Sequence, residues 1–360
     1  MYIHNDGKSV TLDTTFDNYI TSKEKTYTYD SVLPPSSNQQ EVFNIVSPLI
    51  SSVTHGYNAT IFAYGVTGSG KTWTMTGGED DENEGIIPRS ITLIFKLLRQ
   101  EAEQLSNGTI LLVTLSYVEI YNDEFRDLLS GSRTNLNASI NFRNLNAKNK
   151  IEIKSNGKGG YDIVGSPTLR TPVASCEDAM ELIKYGNKYR ATGKTNLNEH
   201  SSRSHAIITL HVESRDAASS VCMYGKLNLV DLAGAENVAE SGVQGGSLLE
   251  TSKINLSLSA LGNVLSALSV VHSNNTNKNN ISNASSSRKD NKIDSKTALI
   301  PYRNSKLTLF LKDSLGGNSR TVMITNIRLG HKFFRQTRMS LMYAARAKNI
   351  CNTVGIYLFR

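Results

Sequence analysis

Cysteine is scarce. Cys176, Cys222 and Cys351 are scattered, odd in number and without metal-ligand spacing. That excludes a disulfide framework and a cysteine-based zinc site, and three free thiols suit a reducing compartment. No apolar run approaches the roughly 20 residues that span a bilayer. The first ten residues, with His4, Asn5, Asp6 and Lys8, lack the apolar centre of a signal peptide. Neither an internal repeat nor a heptad array is present, so the chain offers no coiled coil of its own. A guanine-reading NKxD-like motif is also missing, which weighs against a regulatory switch of the GTPase type.

The remainder is ordinary for a folded α/β protein: 39% hydrophobic and 20% charged residues. A net charge of +7 points to an anionic partner without separating nucleic acid, a membrane surface and an acidic protein, or to a basic surface with no partner. Two stretches read as loops. "EDDENE" (Glu79–Glu84) is acidic and free of apolar residues. The Asn- and Ser-rich stretch 272–298 has almost nothing to bury and carries +3, from Lys278, Arg288, Lys289, Lys292 and Lys296 against Asp290 and Asp294. Branched and aromatic runs predict strands at Ala59–Gly65, Thr109–Tyr121, Ser204–Ser214 and Lys226–Gly234. Helical spacing predicts helices at Gln39–Gly56, Ser175–Gly193 and Gly246–Val271, the last with a stripe of Leu248, Leu249, Ile254, Leu258, Leu261 and Leu265. Strands flanked by helices throughout indicate one α/β domain around a mixed sheet.

The stretch "FAYGVTGSGKTWTMTGG" carries the chemistry. Gly65-Val66-Thr67-Gly68-Ser69-Gly70-Lys71-Thr72 fits GxxxxGK followed by Ser or Thr, after a strand and before a helical pattern. Glycines let successive N–H groups turn inward around phosphate oxygens, and a helix N-terminus favours negative charge. Lys71 would bridge β- and γ-phosphates and the Thr72 hydroxyl would ligate Mg²⁺; the alternative is a glycine-rich turn with an exposed lysine. "NEHSSRSH" (Asn198–His205) puts two hydroxyls, an arginine and a histidine before a strand. "DLAGAE" (Asp231–Glu236) puts a carboxylate at a strand end, then a flexible glycine and a second carboxylate. Asp231 can hold magnesium through water and the Gly234 N–H can donate to a γ-phosphate oxygen. Taken alone, Asp231 could be a helix cap and the serines a polar turn.

These segments, with "PYRNSKLT" (Pro301–Thr308), resemble the kinesin motor domain: P-loop, switch I (NxxSSRSH) and switch II (DLAGxE) in the family's order. The flanks "GYNATIFAYG", "SYVEIYNDEFRDLL", "INLSLSALGNVLSAL" and "DSLGGNSRT" match as well, and the resemblance runs from about Thr26 to Asn352. It implies a P-loop NTPase of kinesin type, its mixed and mostly parallel sheet flanked by helices on both faces. Residues 1–352 would be the motor domain, 272–298 a low-complexity insert and 353–360 an atypical tail. The cofactors implied are ATP and Mg²⁺. Thr72 and Ser202 would hold the metal with Asp231 behind it through water, and Ser201 and Asn198 would line the phosphates. Gly234 would sense the γ-phosphate, while Arg203 and Glu236 form the bridge that closes the switches and Glu236 relays a proton from the attacking water. Helix 246–271 would be the relay, and Tyr302, Arg303 and Lys306, with Lys289 and Lys292 of the insert, would face acidic tubulin. The partner implied is the microtubule, with no nucleic acid and no membrane insertion, and the location cytoplasmic and cytoskeletal, the spindle included.

Departures from the family pattern accompany the matches. An R-x-R-P segment that would end a first core strand and meet adenine is missing, and residues 1–30 begin after its place, as a truncated record would. Trp73 occupies a position from which the base could be stacked, or it covers the sheet edge. Ala235 replaces a serine, and 237–250 lacks basic residues and carries Glu240. Leu256 stands where Lys or Arg is common. Residues 326–350 keep "AARAKNI" without the preceding SPxxxNxxET, and the tail does not resemble a neck linker. Two readings follow: a microtubule-stimulated ATPase motor, or a kinesin-like microtubule-binding protein without a productive mechanical cycle.

Overall fold

The computed structural model describes residues 1–13, 24–104, 109–130, 151–156, 160–192, 200–216, 221–236, 255–271 and 299–359. Three short antiparallel strands open the chain, β1 (Tyr2–Ile3), β2 (Ser9–Asp13) and β3 (Glu24–Thr28). Val10 and Leu12, two apart on β2, give this small sheet an apolar face. It packs on Phe334, Leu341 and Met342 near the end of the chain.

Helix α1 (Gln39–Ser51) starts at a capping box in which Asn38 accepts from the Glu41 N–H at 2.9 Å and Glu41 accepts from the Asn38 N–H at 3.1 Å. The next elements are β4 (Asn58–Tyr64), α2 (Lys71–Met75), α3 (Ile86–Gln104), β5 (Thr109–Tyr121), β6 (Glu124–Asp127), the hairpin β7 (Glu152–Ser155) and β8 (Tyr161–Val164), β9 (Thr171–Val173) and α4 (Cys176–Thr192). Beyond them lie β10 (Ser204–Asp216), β11 (Cys222–Asp231), α5 (255–271), α6 (Lys306–Phe310), β12 (Arg320–Thr325), α7 (Phe334–Lys348) and β13 (Tyr357–Phe359). No helix among the described residues is long and apolar enough to cross a membrane.

The main sheet runs β12-β4-β11-β10-β5-β6, with β13 added on β11 and β9 on β5. It is mixed, as expected, but not mostly parallel. Only β12, β4 and β11 pair in parallel, while β11–β10, β10–β5, β5–β6, β5–β9 and β11–β13 are antiparallel. Counting alternating strands and helices assumes crossover helices at every step, and the short 217–221 connection between β10 and β11 permits only an antiparallel return. Among the described residues no strand pairs with the outer side of β12. In the tail, residues 357–359 form β13 opposite Cys222–Tyr224.

Both faces of the sheet are covered. Phe43, Val46 and Ile50 of α1, Ile91 and Ile94 of α3, and Leu182 and Ile183 of α4 pack on Ile61, Leu115, Ile208 and Leu229. On the other face Leu258, Leu261, Val264 and Leu265 of α5, with Leu307 and Phe310 of α6, cover Phe62, Val118, Ile207 and Val230. Successive residues of a strand point to opposite faces, so β4 is buried along its whole length. The predicted α5 stripe is buried at Leu258, Leu261 and Leu265; Leu248, Leu249 and Ile254 lie outside the described residues.

Candidate nucleotide site

The loop 65–70 leaves the end of β4 and turns into α2. Gly70 caps α2 with φ +99°, a conformation that favours glycine. At Gly65 a β-carbon would fall 2.2 Å from the Asn326 carbonyl oxygen, so the loop lies flush against the chain leaving β12. Lys71 is buried and donates Nζ to the carbonyls of Gly65 at 2.9 Å and Val66 at 3.0 Å. Burial lowers its pKa, and the nearby Asp231 and Glu236 carboxylates oppose that shift.

Three segments distant in sequence meet this loop. The Thr72 hydroxyl donates to Asp231 Oδ2 at 2.7 Å. The Gly234 N–H donates to the Ser202 carbonyl at 2.9 Å and the Ala235 N–H to the Gly65 carbonyl at 3.1 Å, so the 231–236 segment is tied to both of its neighbours. Glu236 receives the Thr67 N–H on Oε2 at 2.9 Å and the Thr67 hydroxyl on Oε1. Asp231 Oδ1 and Ser69 Oγ are buried without a hydrogen-bond partner among the described residues. A buried carboxylate oxygen left open beside a threonine hydroxyl is the hard oxygen donor set that Mg²⁺ takes, with waters completing its shell. The residues therefore fit a magnesium-bound polyphosphate.

Beneath the site lies a charged network, of which the sequence singled out Asp231 but not Arg190 or Glu119. Arg190 of α4, only 9% exposed, stands 3.4 Å from Glu119 Oε1 and 4.0 Å from Asp231 Oδ2, and donates to Ser204. Glu119 is fully buried. The available signal was positional: Ala179, Ile183, Gly186 and Arg190 share one helical row, so the arginine continues a buried stripe. His205 is buried too. Its Nδ1 accepts from the Ala233 N–H at 3.1 Å, which leaves Nε2 to donate to Ser257 Oγ on α5 at 2.8 Å. Burial, helped by the charges of Arg190 and Lys71, pushes its pKa down to about 3, so the ring is neutral.

The other predicted positions scatter. Trp73 is half exposed, its ring edge 3.5 Å from where a Gly78 β-carbon would stand. Ser202 and Arg203 are half-buried in the 3-10 turn His200–Arg203 that leads into β10, and the Ser201 backbone lies in the same turn. Asn198, Lys289, Lys292 and the whole 272–298 insert lie outside the described residues. On the opposite face Arg303 is exposed. Tyr302 is turned inward, its hydroxyl donating to the Leu315 carbonyl and its pKa raised by burial to about 12. Lys306 pairs with Glu124, and its N–H meets Asp123 at 2.8 Å. Leu256 and Val270 are exposed on the outer side of α5.

Fold and site together define a P-loop nucleotide-binding α/β protein in which two further loops converge on the phosphate cradle. The family model for the kinesin motor domain matches residues 4–350. The chain is 40% identical over 336 residues to kinesin-like protein klp-20 of Caenorhabditis elegans, covering 92% of this chain and 45% of that protein. It is 41% identical over 333 residues to kinesin-like protein Klp68D of Drosophila melanogaster, covering 92% and 36%. A solved structure of a fast kinesin, described with its ATPase mechanism and microtubule interactions, superposes with TM-score 0.76 at 31% identity, covering 98% of this chain and 86% of that one. The chain belongs to the kinesin motor domain family. It spans less than half the length of these curated relatives.

Proposed function

We propose that this chain is a Mg·ATP hydrolase that binds microtubules and couples hydrolysis to force along them. The observation that carries this reading is the grip of Glu236 on Thr67: a carboxylate of one loop fastened to the phosphate cradle of another. Backbone amides of 65–72 and the Lys71 ammonium would hold the phosphates. Thr72 and Ser202, with Asp231 behind them through water, would hold magnesium, which would supply charge neutralisation to the phosphates. Ser201 and Asn198 would line the phosphates from the switch I side. The Gly234 N–H would exchange its Ser202 carbonyl for a γ-phosphate oxygen. Glu236 would exchange Thr67 for Arg203, closing the two loops, and would then accept a proton relayed from the attacking water. Phosphoryl transfer asks for this positioning and charge stabilisation more than for covalent help. His205, bonded to both Ala233 and Ser257, would carry the loop movement into α5. Arg303, Lys306, Tyr302 and the insert cations Lys289 and Lys292 would meet acidic tubulin, which places the protein on cytoplasmic microtubules.

A second reading, microtubule binding without a productive cycle, is favoured by the tubulin-side chemistry. Lys306 is already paired, Tyr302 is turned inward and α5 shows Leu256 and Val270 outward. ATP turnover by purified chain with and without microtubules, beside Glu236→Ala, separates the two. Strong stimulation abolished by the substitution supports the motor. Tight binding without turnover supports the second reading.

A further inference from the structure

The sheet order fixes which way a nucleotide must lie. The loop holding Asp231, Gly234 and Glu236 follows β11, on one side of β4, and the loop 326–330 follows β12, on the other side. A polyphosphate whose metal and terminal phosphate face the β11 side therefore directs its nucleoside toward the β12 side. Arg328 stands there. Its Nη1 lies 3.5 Å from the Thr67 carbonyl oxygen and 3.3 Å from where a Gly68 β-carbon would stand, so the guanidinium overhangs the cradle. The same group stacks on the Phe333 ring at 3.8 Å from its centroid, and the side chain remains exposed to solvent. Among the described residues no carboxylate pairs with it. The loop itself is pinned independently: the Thr337 hydroxyl donates to the Arg328 carbonyl at 2.7 Å, and the Asn326 N–H to Tyr64 at 2.8 Å.

We infer that Arg328, backed by Phe333, forms the platform on which the nucleotide's base stacks. This rests on the nucleotide reading above. A phosphate contact is the competing role, but Lys71 and the loop amides already serve the phosphates. A guanidinium held flat against an aromatic ring presents a plane to its ligand, and base stacking on such a plane is sequence-tolerant and favourable.

The test titrates Mg·ADP and Mg·tripolyphosphate, which offers phosphates without a base, against the full chain, Arg328→Ala, Arg328→Lys and Phe333→Leu by calorimetry. The expected result is a loss of about tenfold in ADP affinity for Arg328→Ala, with tripolyphosphate changed less than about twofold. Arg328→Lys, which keeps charge but not the plane, should behave like Arg328→Ala, and Phe333→Leu should lose part of the effect. Arg328 is exposed, so thermal melting should be unchanged. Equal losses on both probes would assign Arg328 to a phosphate and overturn the inference, as would undiminished ADP binding. A wild-type chain that takes up neither probe overturns the nucleotide reading itself, and is told apart by that control.

Discussion

Replacing Gly234 with alanine should stop turnover while leaving nucleotide binding largely intact. Its backbone is not in the left-handed region, so the effect is steric. The added β-carbon would lie 2.2 Å from Thr67 Oγ1 and 2.4 Å from both carboxylate oxygens of Glu236. Ordinary contact requires those oxygens to retreat by about an ångström. The Thr67 N–H to Glu236 bond, now 2.9 Å, cannot survive that shift. A hydrogen bond to a charged group contributes about 1.5–3 kcal/mol, so the population of the resting Thr67-bound carboxylate should fall about ten- to hundredfold. ATP turnover should fall about tenfold or more, because the same methyl group crowds the place where the Gly234 N–H would exchange the Ser202 carbonyl for a γ-phosphate oxygen. ADP affinity should move by less than about threefold, because Lys71, Thr72 and the cradle amides are untouched. The reasoning also fixes the double variant: with Glu236→Ala already in place, Gly234→Ala should add little, since two of the three clashing oxygens are gone. Gly234→Ala at half the wild-type rate or more, or fully additive losses in the double variant, would refute it.

Three further outcomes follow from the same structure. Arg190→Met should take from the buried Glu119 carboxylate its buried partner, with the half-exposed Arg126 still 3.4 Å from it, and cost up to about 3–5 kcal/mol in urea unfolding, with part recovered when Glu119→Gln is added; an effect under about 1 kcal/mol would show the Arg190 pair to be incidental. His205, pushed from 6.5 to about 3, binds fewer protons folded than unfolded, so its contribution is complete above pH 6.5 and falls with acidification. Unfolding free energy should drop by about 2 kcal/mol between pH 7 and pH 5 through this one ring, with His211 acting in the same direction, and His205→Asn should flatten the slope. Deleting 272–298, with its charge of +3, should weaken microtubule affinity most at low ionic strength; unchanged affinity in a low-salt co-sedimentation assay would rule out an electrostatic role.

Much of this site could be read from the sequence because phosphate chemistry demands particular residue types at short spacing. Gly65–Thr72 and Asp231–Glu236 each declare themselves locally, and β4, β5 and β11 follow from branched residues beside them. What stayed hidden were contacts between residues far apart in the chain. Nothing near Arg328 indicates that Thr67, 261 positions earlier, lies under it. Nothing near His205 indicates Ser257, and the Glu119–Arg190 pair needs both β5 and α4 in place. The family resemblance points Tyr302 and Lys306 at tubulin, but nothing near them in the sequence indicates that Leu315 and Glu124 engage them. Strand direction was hidden for a similar reason, being set by connection length and not by strand composition.

The strand that ends in the cradle is held like a rod in a vice, with Ile61 gripped by one helical layer and Phe62 by the other. Its tip cannot settle independently of either jaw. A methylene removed from α1 or from α5, neither of which supplies a cradle residue, should therefore alter how tightly nucleotide is held. A screen for heat-sensitive alleles should accordingly recover lesions in both layers, many of them remote from any phosphate.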